Sequence, residues 1–251
     1  MLRILTTAYN CEEFVSKCLN SMSCQTEKRF CCYFFDDLCT DRTENIFHDL
    51  VGKDDRFIYI KNKTKRYQTG NYDYLIRGGD FLIDDEDIMV NIDADDWLPD
   101  RNVFKRVLSY YDDGKTWVTH GNKIWLDRKG PQDMADWDLN PPIKELRKKR
   151  FSAVHLRTWK AFLWRSIKPE DLKLPDGKFP IIAGDLFFMW PMLEMAGEEH
   201  HKHTKDINYI YNTSRSYRDE DILAIVAATD MIARQKEPYK PLTQSWLGLT
   251  I

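Results

Sequence analysis

The 251-residue sequence contains no Gly-x-Gly-x-x-Gly and no complete Gly-x-x-x-x-Gly-Lys-Ser/Thr. That removes the glycine nests that cradle phosphates in dinucleotide folds and phosphate loops. Cysteine is absent beyond position 39; the six are Cys11, Cys18, Cys24, Cys31, Cys32 and Cys39, with no Cys-x-x-Cys pair. Reduced thiols filling the first strands and helix are therefore favoured over a zinc site or a disulfide framework. Net charge is small, −3 with a pI near 6.1, so no global polyanion-binding signature exists and any contact with nucleic acid must be local. No apolar run reaches membrane-spanning length, and Met1–Leu5 enters a strand without a signal-peptide pattern, so a soluble, cytoplasmic protein is expected. There is no internal repeat and no low-complexity segment.

What is present reads as one large α/β domain. Hydrophobic residues make up 43 % and aromatics 13 %, enough for a full core. Strand-like runs at Leu2–Asn10, Phe30–Phe35, Arg56–Ile60 and Ile88–Ile92 alternate with helical spacing at Glu12–Ser23, Glu44–Leu50 and Asn71–Phe81. Thr40–Thr43 offers a cap for the second helix. This order predicts a mostly parallel sheet with right-handed crossovers and helices on both faces. Thr116–Leu126 reads as strand extending the sheet, Asp127–Pro142 as a polar loop over the site, and Asp219–Gln235 as an amphipathic helix that packs back or serves an oligomer contact.

The densest chemistry is Asp93-Ala94-Asp95-Asp96 at the end of a buried strand. Open α/β sheets bind ligands at the carboxyl ends of their strands, and carboxylates crowded this closely call for a divalent cation such as Mg²⁺ or Mn²⁺. The competing reading is a helix N-cap, since one Asp followed by Pro99 would serve. Thr7-Ala8-Tyr9-Asn10 and Asp36-Asp37 end the neighbouring strands. Together the three ends would supply an aromatic, an acid for a nucleobase edge and a metal for a diphosphate, which describes a nucleotide-sugar site.

Four motifs in order, Thr7–Asn10, Cys18–Thr26, Phe35–Thr43 and Asp93–Asp96, resemble the family-2 glycosyltransferases of GT-A fold. The resemblance implies a single Rossmann-like sheet with a C-terminal helical extension, residues 1–126 forming the donor half, 127–215 the acceptor and catalytic half, and 216–251 a C-terminal helix and tail. It implies a UDP-sugar donor bordered by Thr7, Ala8, Tyr9, Asp37, Arg66, Asn71, Asp93 and Ala94, with Asp93 and Asp95 on the metal. His200 and His155 are candidates for a further metal ligand. The family pattern is broken at Leu38 and at Tyr67, where glycine would be usual. His155–Trp159, Ile167–Leu172, Asp176–Phe179 and Asp185–Gly197 resemble a narrower viral and bacterial group, some of whose phage members glucosylate sugars on hydroxymethylcytosine in DNA. A modified DNA acceptor, reached in host cytoplasm, is the expectation this carries, ahead of a surface glycan.

An inverting transfer needs a base for the acceptor hydroxyl. Asp185, opening an apolar helix and matching the family's acidic position, is the first choice, with Asp96 as the alternative; a retaining outcome stays open. Asp96, Trp97, His155, Arg157 and Trp190 are read as acceptor or diphosphate contacts, against the alternative that the tryptophans are core. The basic run Lys144–Arg150 is either a solvated face or a contact for a polyanion. Glu198–His203 reads as a solvated turn. A nucleotidyltransferase and a catalytically dead sugar-binding module are the other classes; a processive synthase is disfavoured by the lack of spanning helices and of Gln-x-x-Arg-Trp.

Overall fold

The computed structural model describes residues 1–127, 130–132, 140–214 and 220–243. Strands β1 (Leu2–Ala8), β2 (Phe30–Asp36), β3 (Phe57–Lys61) and β4 (Ile88–Asn91) pair in parallel in the order β3-β2-β1-β4. Between them run α1 (Val15–Ser23), α2 (Thr43–Val51) and α3 (Tyr67–Arg77). After α4 (Val103–Tyr110) come β5 (Val118–Asp127), β6 (Gly130–Gln132), β7 (Arg157–Lys160) and α5 (Ala161–Ser166). The chain continues through α6 (Asp185–His200), β8 (His201–Asn212) and α7 (Glu220–Gln235). The eight strands of the described residues form one mixed sheet, continued past β4 as β7-β5-β6, with β8 parallel to β5.

The period of two along each strand divides the core. Leu5, Tyr33, Phe35 and Met89 point to one face, under Tyr72, Leu75 and Ile76 of α3 and the apolar body of α6. Ile4, Cys32, Phe34 and Val90 point to the other, against Val15, Cys18 and Leu19 of α1, Phe47 of α2 and Phe104 of α4. Every residue of β2 is buried, as a strand covered on both faces requires. Each large apolar side chain so buried contributes about 1.5–3 kcal/mol. All six cysteines are free and four are buried, which agrees with their reading as filler.

Several expectations are corrected. Helix α3 starts at Tyr67, not Asn71, because the Asp37 carboxylate accepts the amides of Arg66 (2.9 Å) and Tyr67 (3.0 Å) and so supplies a cap from 30 residues away. It stops at Gly78, with Gly79 at positive φ, rather than running to Phe81. Glu198–His203 is not a turn: α6 passes directly into β8 there. The loop expected over Asp127–Pro142 falls largely outside the described residues; its residues 130–132 pair with β5. Helix α7 packs back on α6, and its Arg234 donates to the carbonyls of Arg147 and Lys149. Among the described residues no helix is long and apolar enough to cross a membrane.

Among the described residues four non-glycine residues take positive φ: Asn10 (52°), Leu38 (68°), Tyr67 (58°) and Ala183 (56°). Leu38 and Tyr67 stand where the family pattern has glycine, so the turns are kept without the residue that makes them easily. Leu38 is 38 % exposed and gains little from burial. Leu38→Gly is therefore expected to stabilise the fold by about 0.5–1 kcal/mol, the relief of left-handed strain less the added unfolded-chain entropy. Thermal melting of the two proteins checks this; a lower Tm for the glycine variant contradicts it.

Candidate active site

The carboxyl ends of β1, β2 and β4 open on a cavity of about 390 Å³, lined among others by Thr7, Tyr9, Asp37, Lys65, Tyr67, Gln68, Asp93 and Asp95. A second cavity of about 780 Å³ adjoins it and shares Gln68, Asp93, Ile181 and Ile182. The second is lined by Lys123, Trp125, Arg150, His155, Arg157, Asp185 and Tyr211, and by the α7 side chains of Leu223, Val226 and Arg234. Asp93 thus stands where the two meet.

The first cavity rests on a polar chain. Besides the two α3 amides, Asp37 accepts from Asn62 Nδ2 at 2.7 Å; Asn62 also donates to Asn71 Oδ1 at 2.7 Å, and Asn71 Nδ2 donates to Thr7 Oγ1 at 3.3 Å. Asp37, Asn62 and Asn71 are buried, so this chain fixes the floor. Asp37 was expected to take a base N–H; it is first of all the cap that shapes the loop. Tyr9 forms one wall, exposed, with the Lys65 ammonium 2.9 Å from its ring centre. Ala8 and Ala94 are buried and serve through backbone, Ala8 O accepting from Asp37 N at 2.9 Å. Arg66 does not face the cavity: its guanidinium lies 3.9 Å from the centre of the Tyr74 ring, where cation–π attraction holds it.

Of the acidic triple, Asp93 and Asp95 face the first cavity while Asp96 is 1 % exposed and turned inward. Asp93 Oδ1 accepts from Gln68 Nε2 (2.6 Å) and Asn91 Nδ2 (3.0 Å). Burial and the neighbouring Asp95 push its carboxyl up to about 6. Asp96 Oδ1 accepts from the Asn212 amide at 2.7 Å, whereas its buried Oδ2 has no partner. Burial, then Asp95 and Asp93, push Asp96 well above the usual range. Oxygen atoms of Asp93 and Asp96 and a ring nitrogen of His155 lie within 4.8 Å of one another. An orphaned carboxylate oxygen among hard donors fits a divalent cation. Asp93 and Asp96 are the carboxylates of that cluster that would hold it, and Asp95, on the wall of the first cavity with Asp93, would add a third. His155 is kept neutral by burial and Arg157, as a metal ligand must be, but Arg157 Nη1 lies 2.8 Å from its Nε2 and a guanidinium repels a cation there.

His200 is excluded as a ligand. It lies beyond the far end of β8 from Asp96, stacked on Trp117 with ring centres 3.7 Å apart, its Nδ1 2.7 Å from Lys115 O. Trp190 is also corrected: it is fully buried in the core, between Phe151 and the guanidinium groups of Arg147 and Arg234. Trp97 lines neither cavity; it pairs with Ile210 through backbone, and Lys17 lies 4.8 Å from its ring centre. The basic run is split by burial. Arg147 is spent on Glu194 (2.5 and 2.9 Å) and Ala233 O, while Arg150 reaches the second cavity.

Asp185 enters the second cavity from the start of α6. Arg157 Nη2 donates to its Oδ2 at 2.5 Å, and the same guanidinium contacts Ala153 O, Asn91 Oδ1 and His155. Arg157, expected at diphosphate or acceptor, is 5 % exposed and works as the residue that aims Asp185. Gly184 lets α6 approach α3: a Cβ there would lie 2.3 Å from Thr69 Oγ1. Gln68, Lys123 and Tyr211 were not anticipated. Gln68 carried a usable signal, since with a helix begun at Tyr67 it shares a face with Asn71 and Tyr72.

Residues 3–167 match the family described as Glycosyl transferase family 2. No curated protein matches the chain. Among solved structures, S. aureus TarS 1–349 in complex with UDP superimposes with TM-score 0.62 at 17 % identity over 94 % of this chain and 67 % of that one. The same fragment in complex with UDP-GlcNAc gives 0.63 at 17 % identity, over 94 % and 68 %. The mannosyltransferase PcManGT from Pyrobaculum calidifontis, in complex with GDP-Man and Mn²⁺, gives 0.61 at 13 % identity over 95 % and 65 %. This chain therefore spans about two thirds of the TarS fragment and of PcManGT, and 40 % of the longer TarS structure. At these identities the likeness is one of fold, the GT-A arrangement.

Proposed function

Since the chain belongs to glycosyl transferase family 2, we propose that it moves a hexose, glucose first, from a UDP-sugar to an acceptor hydroxyl with inversion, using Mn²⁺ or Mg²⁺. The observation that carries this is the pair of cavities joined at Asp93, one with a nucleoside-sized polar floor and aromatic wall, the other holding Asp185. Tyr9 and the Asp37-capped loop bind the nucleoside; Gln68 and Asn91 orient Asp93 toward the ribose and diphosphate. A divalent cation bound by the acidic triple would stabilise the departing diphosphate. Asp185, held by Arg157, takes the proton of the acceptor hydroxyl as it attacks the anomeric carbon from the second cavity. A catalytically dead module would have no use for this positioned carboxylate.

The narrower resemblance and Arg150 on the cavity wall support a polyanionic acceptor, a glucosylated hydroxymethylcytosine in DNA. The test is incubation with several UDP-sugars and with unmodified, hydroxymethylated and glucosylated DNA, read by mass spectrometry of the nucleosides and by metal-dependent UDP release. Transfer to DNA that weakens steeply with salt, with a flatter slope after neutralising Lys148, Lys149 and Arg150, is the expected result. Hexose transfer to a neutral glycan alone would discard DNA and keep the glycosyltransferase. Absence of UDP release with any donor would discard both.

A further inference from the structure

The basic side chains around the second cavity are not equally spent. Arg157 is paired with Asp185 at 2.5 Å and Arg234 with Asp230 at 2.5 Å. Lys123 differs. It is 7 % exposed, its Nζ lies 3.7 Å from the ring centre of Tyr211 and 5.3 Å from that of Trp125, and it lines the cavity. Among the described residues no hydrogen-bond acceptor and no carboxylate oxygen reaches that Nζ. Aromatic faces hold an ammonium in place but are no substitute for acceptors on its three N–H bonds, and leaving a buried cation without them is costly. Burial and then Arg157 push Lys123 down to about 8, while Asp96, Asp185 and Asp93 act in the opposite direction. β5 sets the direction: Lys123 and Trp125 alternate onto one face of the strand, the face that Tyr211 of β8 also lines.

We propose that Lys123 is the anchor for a phosphate group in the second cavity, with Arg150 on the same wall. The inference rests on the nucleotide-sugar reading of the site. A phosphate presents several oxygens to a compact ammonium and removes the cost of its burial, which a neutral sugar hydroxyl does only in part. Two sources offer that chemistry: the diphosphate of the donor, reaching past Asp93 where the cavities meet, or a phosphate carried by the acceptor.

Calorimetry on the full chain separates them, with Lys123→Met and Lys123→Arg as variants. If the donor supplies the phosphate, Lys123→Met weakens UDP by about 10- to 100-fold and leaves uridine unaffected, the worth of one charge-assisted hydrogen bond. If the acceptor supplies it, UDP affinity is unchanged, and inorganic phosphate binds UDP-saturated wild type but not Lys123→Met. Lys123→Arg retains binding in either case. Unchanged affinity of Lys123→Met for both UDP and inorganic phosphate overturns the proposal. Melting is read alongside: removing an uncompensated buried ammonium is expected to raise Tm, which separates lost binding from lost fold. Should Lys123→Met fail to fold, Lys123→Gln takes its place. Failure of wild type to bind UDP would count against the nucleotide-sugar reading alone, and inorganic phosphate binding to free wild type and variant would still decide Lys123.

Discussion

Asp185→Asn is expected to lower turnover by ~10²–10⁴ while leaving UDP affinity nearly intact, the usual worth of a positioned general base. The separation follows from placement. Asp185 lines the second cavity and not the first, so the nucleoside floor of Asp37, Asn62 and Asn71 is untouched by the substitution. Asn keeps an oxygen for the Arg157 N–H, so the geometry survives, but it cannot take a proton. It also leaves Arg157 buried without its counter-charge, so Tm must be read beside kcat. Steady-state kinetics with calorimetry of UDP binding checks the result. Unchanged turnover in a folded variant removes Asp185 from the chemistry. Asp96 would be a poor replacement, being 1 % exposed and absent from both cavity walls.

The second large effect concerns the cation. Mn²⁺ is expected to tighten UDP binding to wild type by more than tenfold, and Asp95→Asn to abolish that gain, because a lost carboxylate removes both a ligand and a charge. A dependence on pH accompanies it. The Asp93 carboxyl sits at about 6 in the folded chain, above its ordinary 3.8. The folded state therefore binds this proton more tightly than the unfolded state, and the stability so gained at acid pH is lost as pH rises from about 3.8 through about 6. Above that range the crowded carboxylates are ionised and a cation has most to neutralise. Mn²⁺ should accordingly raise Tm at pH 7.5 and do little at pH 5. Metal-independent UDP binding, or a Tm shift that is larger at pH 5, would sink the metal assignment.

The parts of the site that sequence made legible are those set by local pattern. An apolar run that stops at acids placed Asp93 and Asp95 at a strand end, and the same logic located Asp37; a lone Asp at the start of an apolar helix located Asp185. The parts it concealed depend on distant partners. Asp37 caps α3 from another crossover, Arg66 turns to Tyr74, and Arg157 reaches the wall of the second cavity already bound to Ala153 O, Asn91 Oδ1 and Asp185. Glu198–His203 reads as a turn because its run of charged and histidine side chains shows no alternation, yet His201–His203 begin β8 and leave His200 beyond the end of that strand away from Asp96. Strand β7 was hidden for another reason. Its four residues, Arg157–Lys160, are stabilised by antiparallel insertion between β4 and β5 and have little local signature.

Helix α7 furnishes side chains to both cavities, Ile222 and Ile225 to one and Leu223, Val226 and Arg234 to the other, yet of its residues only Thr229 and Ala233 are buried. Its hold on the body is a short seam, chiefly Arg234 on the carbonyls of Arg147 and Lys149. The cleft-facing side of such a helix is under few packing constraints, so its side chains can change while the sheet, the acidic triple and Asp185 stay as they are. Exchanging its side chains therefore alters the walls of both cavities at once and leaves the framework beneath them intact.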